Sequence, residues 1–173
     1  TTPYVSNLQA TKQIHKLNYF ITFGRNSSVL IGLISASLLI LTSTELINFF
    51  EPTKAVSSKA NSYLILRSLG LPFYLLNMHS TAVLRGMKYP KITLYSSAIV
   101  GVANVILSYL LGIVLNFGVE GIAIASSVAF LISSIYSTKV LISTQTQTSN
   151  FVKSHEKKEI SKKFFSIGFF IFI

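Results

Sequence analysis

Residues 29–50, 64–84, 92–115 and 119–142 form four stretches long and apolar enough to cross a lipid bilayer, and this restricts the fold more than any other feature of the chain. A helix needs about 20 apolar residues to cross the hydrocarbon core. Inside that core every backbone N–H and C=O must find a partner within the protein, a requirement that helices meet locally. The expected fold is therefore all-α: a polytopic membrane helix bundle with four complete transmembrane helices and partial helices at both ends. Composition agrees, with 50% hydrophobic residues, only 12% charged ones and a mean hydropathy of +0.58. The sequence has no cysteine, which removes disulfides and cysteine metal sites. It starts at Thr1 without an initiator methionine and stops inside an apolar run, so it reads as part of a longer protein.

The charges fall between the apolar runs. Lys12, Lys16 and Arg25 precede the first, Arg85, Lys88 and Lys91 follow the second, and Lys139, Lys153, Lys157, Lys158, Lys162 and Lys163 lie at the end of the fourth and beyond it. Only Lys54 and Lys59 fall on the other side, with Glu45, Glu51 and Glu120. The positive-inside rule then makes the loops at 9–27, 85–91 and 143–160 cytoplasmic. Arg67 stands outside that count. It reads as an interfacial anchor snorkelling outward, or as a partner of Glu45 or Glu120. A net charge of +10 raises the question of nucleic acid, but nucleic-acid binders gather cations on one soluble face. Here the partner is the bilayer, and no nucleic acid is expected.

Breakers mark the turns: Glu51 and Pro52, Gly86 and Pro90, Asn116 and Gly118. Gly70 and Pro72 fall inside the second run, where proline removes a backbone hydrogen bond and kinks the helix. Small residues on one face, Ser97, Gly101 and Ser108 in the third run and Gly121, Ala125 and Ala129 in the fourth, allow close helix approach. The organisation expected is a membrane lobe over 1–145, a cytoplasmic linker over 146–160 and the truncated start of a further helix over 161–173. The linker is polar and then basic; it reads as solvated, with anionic lipid headgroups as the sharper alternative.

Polar side chains inside the runs are the candidate functional residues, because their placement in lipid is costly. Asn104 needs amide partners, either from a neighbouring helix or from a ligand or ion, and Ser108 shares its face one turn later. His79 is a candidate proton relay, against the plainer reading of a packed histidine. No catalytic residues are expected: the five acids lie outside the deep membrane region, and His15, His79 and His155 are too scattered to make a metal site. No phosphate-cradling glycine loop is present either.

Taken in order, LRSLGLPFYLLN, VLRGMKYPKITLY, an Asn-bearing span in GVANVILSYL, and GVEGIAIASSVA resemble the fourth to sixth membrane helices of the multidrug and toxic compound extrusion (MATE) family. TTPYVSNLQATKQ resembles the end of its second helix and the following loop, so 1–145 corresponds to the amino-terminal six-helix lobe from late helix two to helix six. The resemblance implies a secondary transporter of two six-helix lobes, exporting small organic, cationic or amphipathic substrates by proton or sodium antiport with alternating access. The remaining carboxyl-terminal lobe is then a partner, and a coupling ion, H⁺ or Na⁺, takes the place of a cofactor. In family members coupled through this lobe the fifth helix carries Asn-x-x-x-Asp, with a hydroxyl residue on the sixth. Asn104 matches the asparagine and Ser126 the hydroxyl, but Ser108 stands where the aspartate is expected. The alternatives are a lipid-linked oligosaccharide flippase of the same superfamily, or a non-transporting paralogue or helical scaffold.

Overall fold

The computed structural model describes residues 1–145 and 154–169, with side chains described for 1–145 and 155–166. Seven helices follow one another among these residues: α1 (Thr2–Ala10), α2 (Ile14–Asn48), α3 (Lys54–Ser68), α4 (Leu71–Gly86), α5 (Pro90–Ser108), α6 (Gly118–Thr144) and α7 (Ser154–Phe169). A π-helical segment, Tyr109–Val114, extends α5. No strand occurs among the described residues, and the helical bundle expected from the apolar runs is present.

Three helices are each long and apolar enough to cross a membrane: α2, α5 with its π extension, and α6. The fourth expected span is the α3–α4 pair. Its two halves are separated only by Leu69 and Gly70, both in the right-handed helical region, so the chain bends there without reversing. Pro72 at the start of α4 has no N–H to continue the ladder of α3, which is the physical origin of the bend.

Helix boundaries differ from expectation mainly at the basic end of the bundle. The stretch 9–27, expected as a loop, is almost entirely helical, because α2 begins at Ile14 and leaves only 11–13 outside a helix. At 1.5 Å per residue α2 is about 52 Å long, well beyond the hydrocarbon thickness, so its polar first turns extend past that thickness without leaving the helix. The expected loop at 85–91 contracts to 87–89, and α7 begins at Ser154, inside the expected linker 146–160. Residues 146–153 and 170–173 of the expected linker and final helix lie outside the described residues.

Turn chemistry also differs. Lys12, Glu51, Lys88 and Asn116 each adopt a left-handed backbone, one in each inter-helix turn from α1 to α6 except the α3–α4 bend. Lys88, at φ 67°, reverses the chain between α4 and α5, while Gly86 closes α4 in helical conformation. The missing side chain of Gly86 serves packing: a Cβ there would fall 2.7 Å from Cβ of Val5 on α1. Relieving the strained backbone with Lys88→Gly is expected to stabilise the full-length protein by about 1 kcal/mol. A higher melting temperature by size-exclusion after heating is the readout, and an unchanged or lower one contradicts this account of the turn.

Tight apolar packing concentrates at the basic end. Val5 and Leu8 of α1, Leu17, Phe20 and Ile21 of α2, Val83 and Leu84 of α4, Leu141 of α6 and Ile160 of α7 form one buried cluster. Higher in the bundle small residues set the spacing. Gly24, Ser28, Gly32 and Ala36 repeat every four residues along the buried face of α2, and α4 lies directly against them. Gly121, Ala125 and Ala129 line the buried face of α6 as their spacing predicts. The stripe expected on α5 does not pack: Ser97 and Gly101 are exposed, nothing lies within 4 Å of a Cβ built on Gly101, and Ser96 is the buried residue instead.

Candidate functional site between α5 and α6

Asn104, Ser108 and Ser126 are far apart in sequence but meet in the fold. Helices α5 and α6 are joined by a short turn around Asn116 and Gly118, and this sets them antiparallel and in register. Asn104 Nδ2 donates to Ser126 Oγ at 2.8 Å across the helix pair. Ser108 Oγ donates to Asn104 Oδ1 at 3.3 Å, one turn along α5. All three side chains are only partly buried, so the group is open to whatever adjoins this face.

The π-helical segment starts at the residue after Ser108. Its wider turn is matched on α6 by Gly121, where a Cβ would sit 2.7 Å from the Leu111 carbonyl carbon. Irregular turns of this kind are frequent at functional sites, because they free or redirect backbone groups. Chemically the trio offers hydroxyl and amide groups and no formal charge. It fits part of a coordination shell for a hard cation, to which Asn104 Oδ1 and the two hydroxyl oxygens are suitable donors. It contains no group that exchanges a proton near neutral pH. No cluster of three or more His, Cys, Asp or Glu that could hold a metal occurs among the described residues.

His79 lies elsewhere. Its Nε2 donates to the Ile21 carbonyl of α2 at 3.2 Å, and its ring packs on Gly24 between Phe20 and Phe164. It also borders a cavity of about 410 Å³ that Ser28, Arg85 and Phe164 help to line. No bond joins it to the Asn104 group, so the two candidates are separate features.

A second polar group escaped the sequence reading. Asn77 Oδ1 of α4 accepts from Ser96 Oγ at 2.9 Å, Ser137 Oγ at 2.9 Å and Ser133 Oγ at 3.3 Å, tying α4, α5 and α6 at one point. Ser96 and Ser133 also share a 2.7 Å hydroxyl contact, and Ser133 reaches the Ser96 carbonyl at 2.9 Å. Ser133 and Ser137 are four apart on α6, a signal that is visible in the sequence. Placing Asn77 opposite them requires the packing of three helices. Gly70 and Pro72, expected as the kink, do more than bend the chain: Gly70 abuts Ser127 of α6, and Pro72 fills the space above Gly32 of α2.

Apolar spanning helices, short turns and a partly open polar group inside the bundle define an integral membrane protein. Residues 1–110 match the family model MatE, and the chain belongs to that family. It is 32% identical over 115 residues to Protein DETOXIFICATION 43 of Arabidopsis thaliana, covering 65% of this chain and 21% of that protein. It is 31% identical over 123 residues to Lipid II flippase MurJ of Thermosipho africanus, covering 69% of this chain and 26% of the flippase. The chain thus spans about a quarter or less of the curated relatives it matches. No solved structure gives a significant match.

Proposed function

We propose that this chain is part of a secondary active transporter that exports small organic, cationic or amphipathic compounds by proton or sodium antiport, with alternating access between two lobes. The basic end of the bundle is then cytoplasmic, following the distribution of Lys and Arg. The observation that carries the reading is the Asn104–Ser126 bond across α5 and α6, beside the π-helical segment of a MatE-family chain. The neutral chemistry of the group favours sodium over a proton at this site, with formal charge supplied from outside the described residues.

The test is ethidium efflux from cells expressing the full-length protein. Asn104→Ala is expected to slow sodium-driven efflux about tenfold or more, the loss associated with removing a hydrogen-bonding ligand of a charged group. Ser108→Asp is expected to add proton dependence. Ethidium retention equal to an empty-vector control, with or without ion gradients, rejects the exporter. A lipid-linked oligosaccharide flippase is the second reading, favoured by the similarity to MurJ. It predicts headgroup translocation in proteoliposomes with no ethidium efflux.

A further inference from the structure

Arg67 has no part in the Asn104 group, and its surroundings are unusual. The sequence suggests that it reaches outward to the membrane edge, or pairs with Glu45 or Glu120. Neither glutamate pairs with it in the structure, and its guanidinium lies against a ring of α6 instead. Ser127 Oγ of α6 donates to the Leu66 carbonyl at 3.1 Å, which fixes the level of the last turn of α3 against α6. The Arg67 guanidinium lies 5.2 Å from the Phe130 ring, one turn closer to the basic end than Ser127. Phe130 stands twelve residues after Gly118 and fourteen before Thr144, so its backbone lies near the middle of α6, about 18 Å from the nearer end, and the guanidinium lies beside its ring.

Phe130 is itself held edge-on by Tyr74 of α4, with ring centroids 5.0 Å apart. Arg67 Nη1 is sealed from solvent and has no hydrogen-bond partner. Among the described residues the one ion pair is Lys16–Glu156, at the basic end, so no carboxylate compensates Arg67. A guanidinium stays charged, and a charge at this depth is costly unless it faces a partner or a water-filled path. The Phe130 face offsets part of that cost and fixes the plane of the fork, but it offers no acceptor oxygen.

We propose that Arg67, positioned by Phe130 and Tyr74, binds an anionic group: a carboxylate or phosphate oxygen carried by an amphipathic molecule. The inference rests on the transport reading and narrows it, since the cargo, or a lipid entering the same path, then presents an anion to this lobe. The planar fork suits such an oxygen pair better than a lysine does.

The experiment uses full-length protein in nanodiscs and three probes: carboxyfluorescein for a soluble carboxylate, pyrene-labelled phosphatidylglycerol for a lipid phosphate, and ethidium as the cation control. Arg67→Gln is expected to weaken at least one anionic probe about tenfold or more and leave ethidium binding unchanged. Arg67→Lys recovers part of the affinity, and Phe130→Leu loses part of it with the charge intact. Loss confined to carboxyfluorescein assigns a soluble ligand; loss confined to phosphatidylglycerol assigns a headgroup. The proposal is overturned if neither anion binds the wild type, if both bind Arg67→Gln as tightly as the wild type, or if all three probes weaken together. Should Arg67→Gln fail to fold, unchanged anion binding in both Arg67→Lys and Phe130→Leu overturns it equally. Absent ethidium efflux with the anion effects intact rejects the exporter reading alone.

Discussion

Gly32→Ala is expected to destabilise the full-length protein by about 1–3 kcal/mol, whereas Gly101→Ala is expected to stabilise it by up to about 1 kcal/mol. Both glycines lie inside apolar helices, so propensity alone predicts the same gain at each. Packing separates them. A Cβ at Gly32 would fall 2.5 Å from Pro72 Cα and 2.9 Å from its nitrogen, and a proline ring joined to helical backbone cannot turn aside. Helices α2 and α4 must then separate around this contact. At Gly101 nothing within 4 Å resists the added methyl. Melting temperatures by size-exclusion after heating test the contrast, and equal shifts of one sign would show that α2 and α4 do not touch at Gly32 and Pro72.

The second large effect is expected at Asn77. Its carbonyl oxygen is the common acceptor of three hydroxyls from two other helices, and all three residues, Ser96, Ser133 and Ser137, are fully buried. Asn77→Ala removes that acceptor and opens a small void, with an expected loss of about 2–3 kcal/mol. A single interhelical hydrogen bond in a membrane protein averages only about 0.6 kcal/mol, so the expected loss reflects a shared acceptor. Ser133→Ala should cost less than about 1 kcal/mol, because Ser96 and Ser137 keep Asn77. The double variant should fall well short of the sum of the two single losses. Strict additivity in that cycle refutes a coupled group.

Much of the fold was legible in the sequence because lipid leaves few options. Apolar run length located the helices, and the kink at Gly70 and Pro72 followed from the missing N–H. Errors arose where water replaces lipid. Residues 14–27 are too polar to resemble a span, yet they extend α2, because Leu17, Phe20 and Ile21 bury against α1, α4 and α7. The faces of α5 were misassigned because Ser96 and Ser97 are adjacent and small, and only the Asn77 contact decides which one turns inward. Asn104 and Ser108 stand out as polar side chains inside an apolar run and Ser126 by resemblance, and α5 and α6 bring them together. Their hydrogen bonds follow from a three-dimensional register that no local pattern encodes. The pairing of Arg67 with Glu45 or Glu120 does not form, because sequence spacing does not show which helix a long side chain meets, and Phe130 of α6 takes that place.

The uneven distribution of buried side chains has a mechanical consequence. Among the described residues every large apolar side chain that is fully enclosed, Phe20, Ile21, Leu84, Leu141 and Ile160 included, belongs to the cluster at the basic end. Away from it the enclosed residues are mostly small: Ser43, Ser68, Ser96, Ser133 and the alanines of α6. Small side chains interlock less deeply than large ones, and hydroxyl bonds such as those to Asn77 tie the helices only at single points. The bundle is therefore stiff at its base and compliant along its length, like the prongs of a tuning fork. Forces applied at the far end bend the helices apart there, and the base keeps their order.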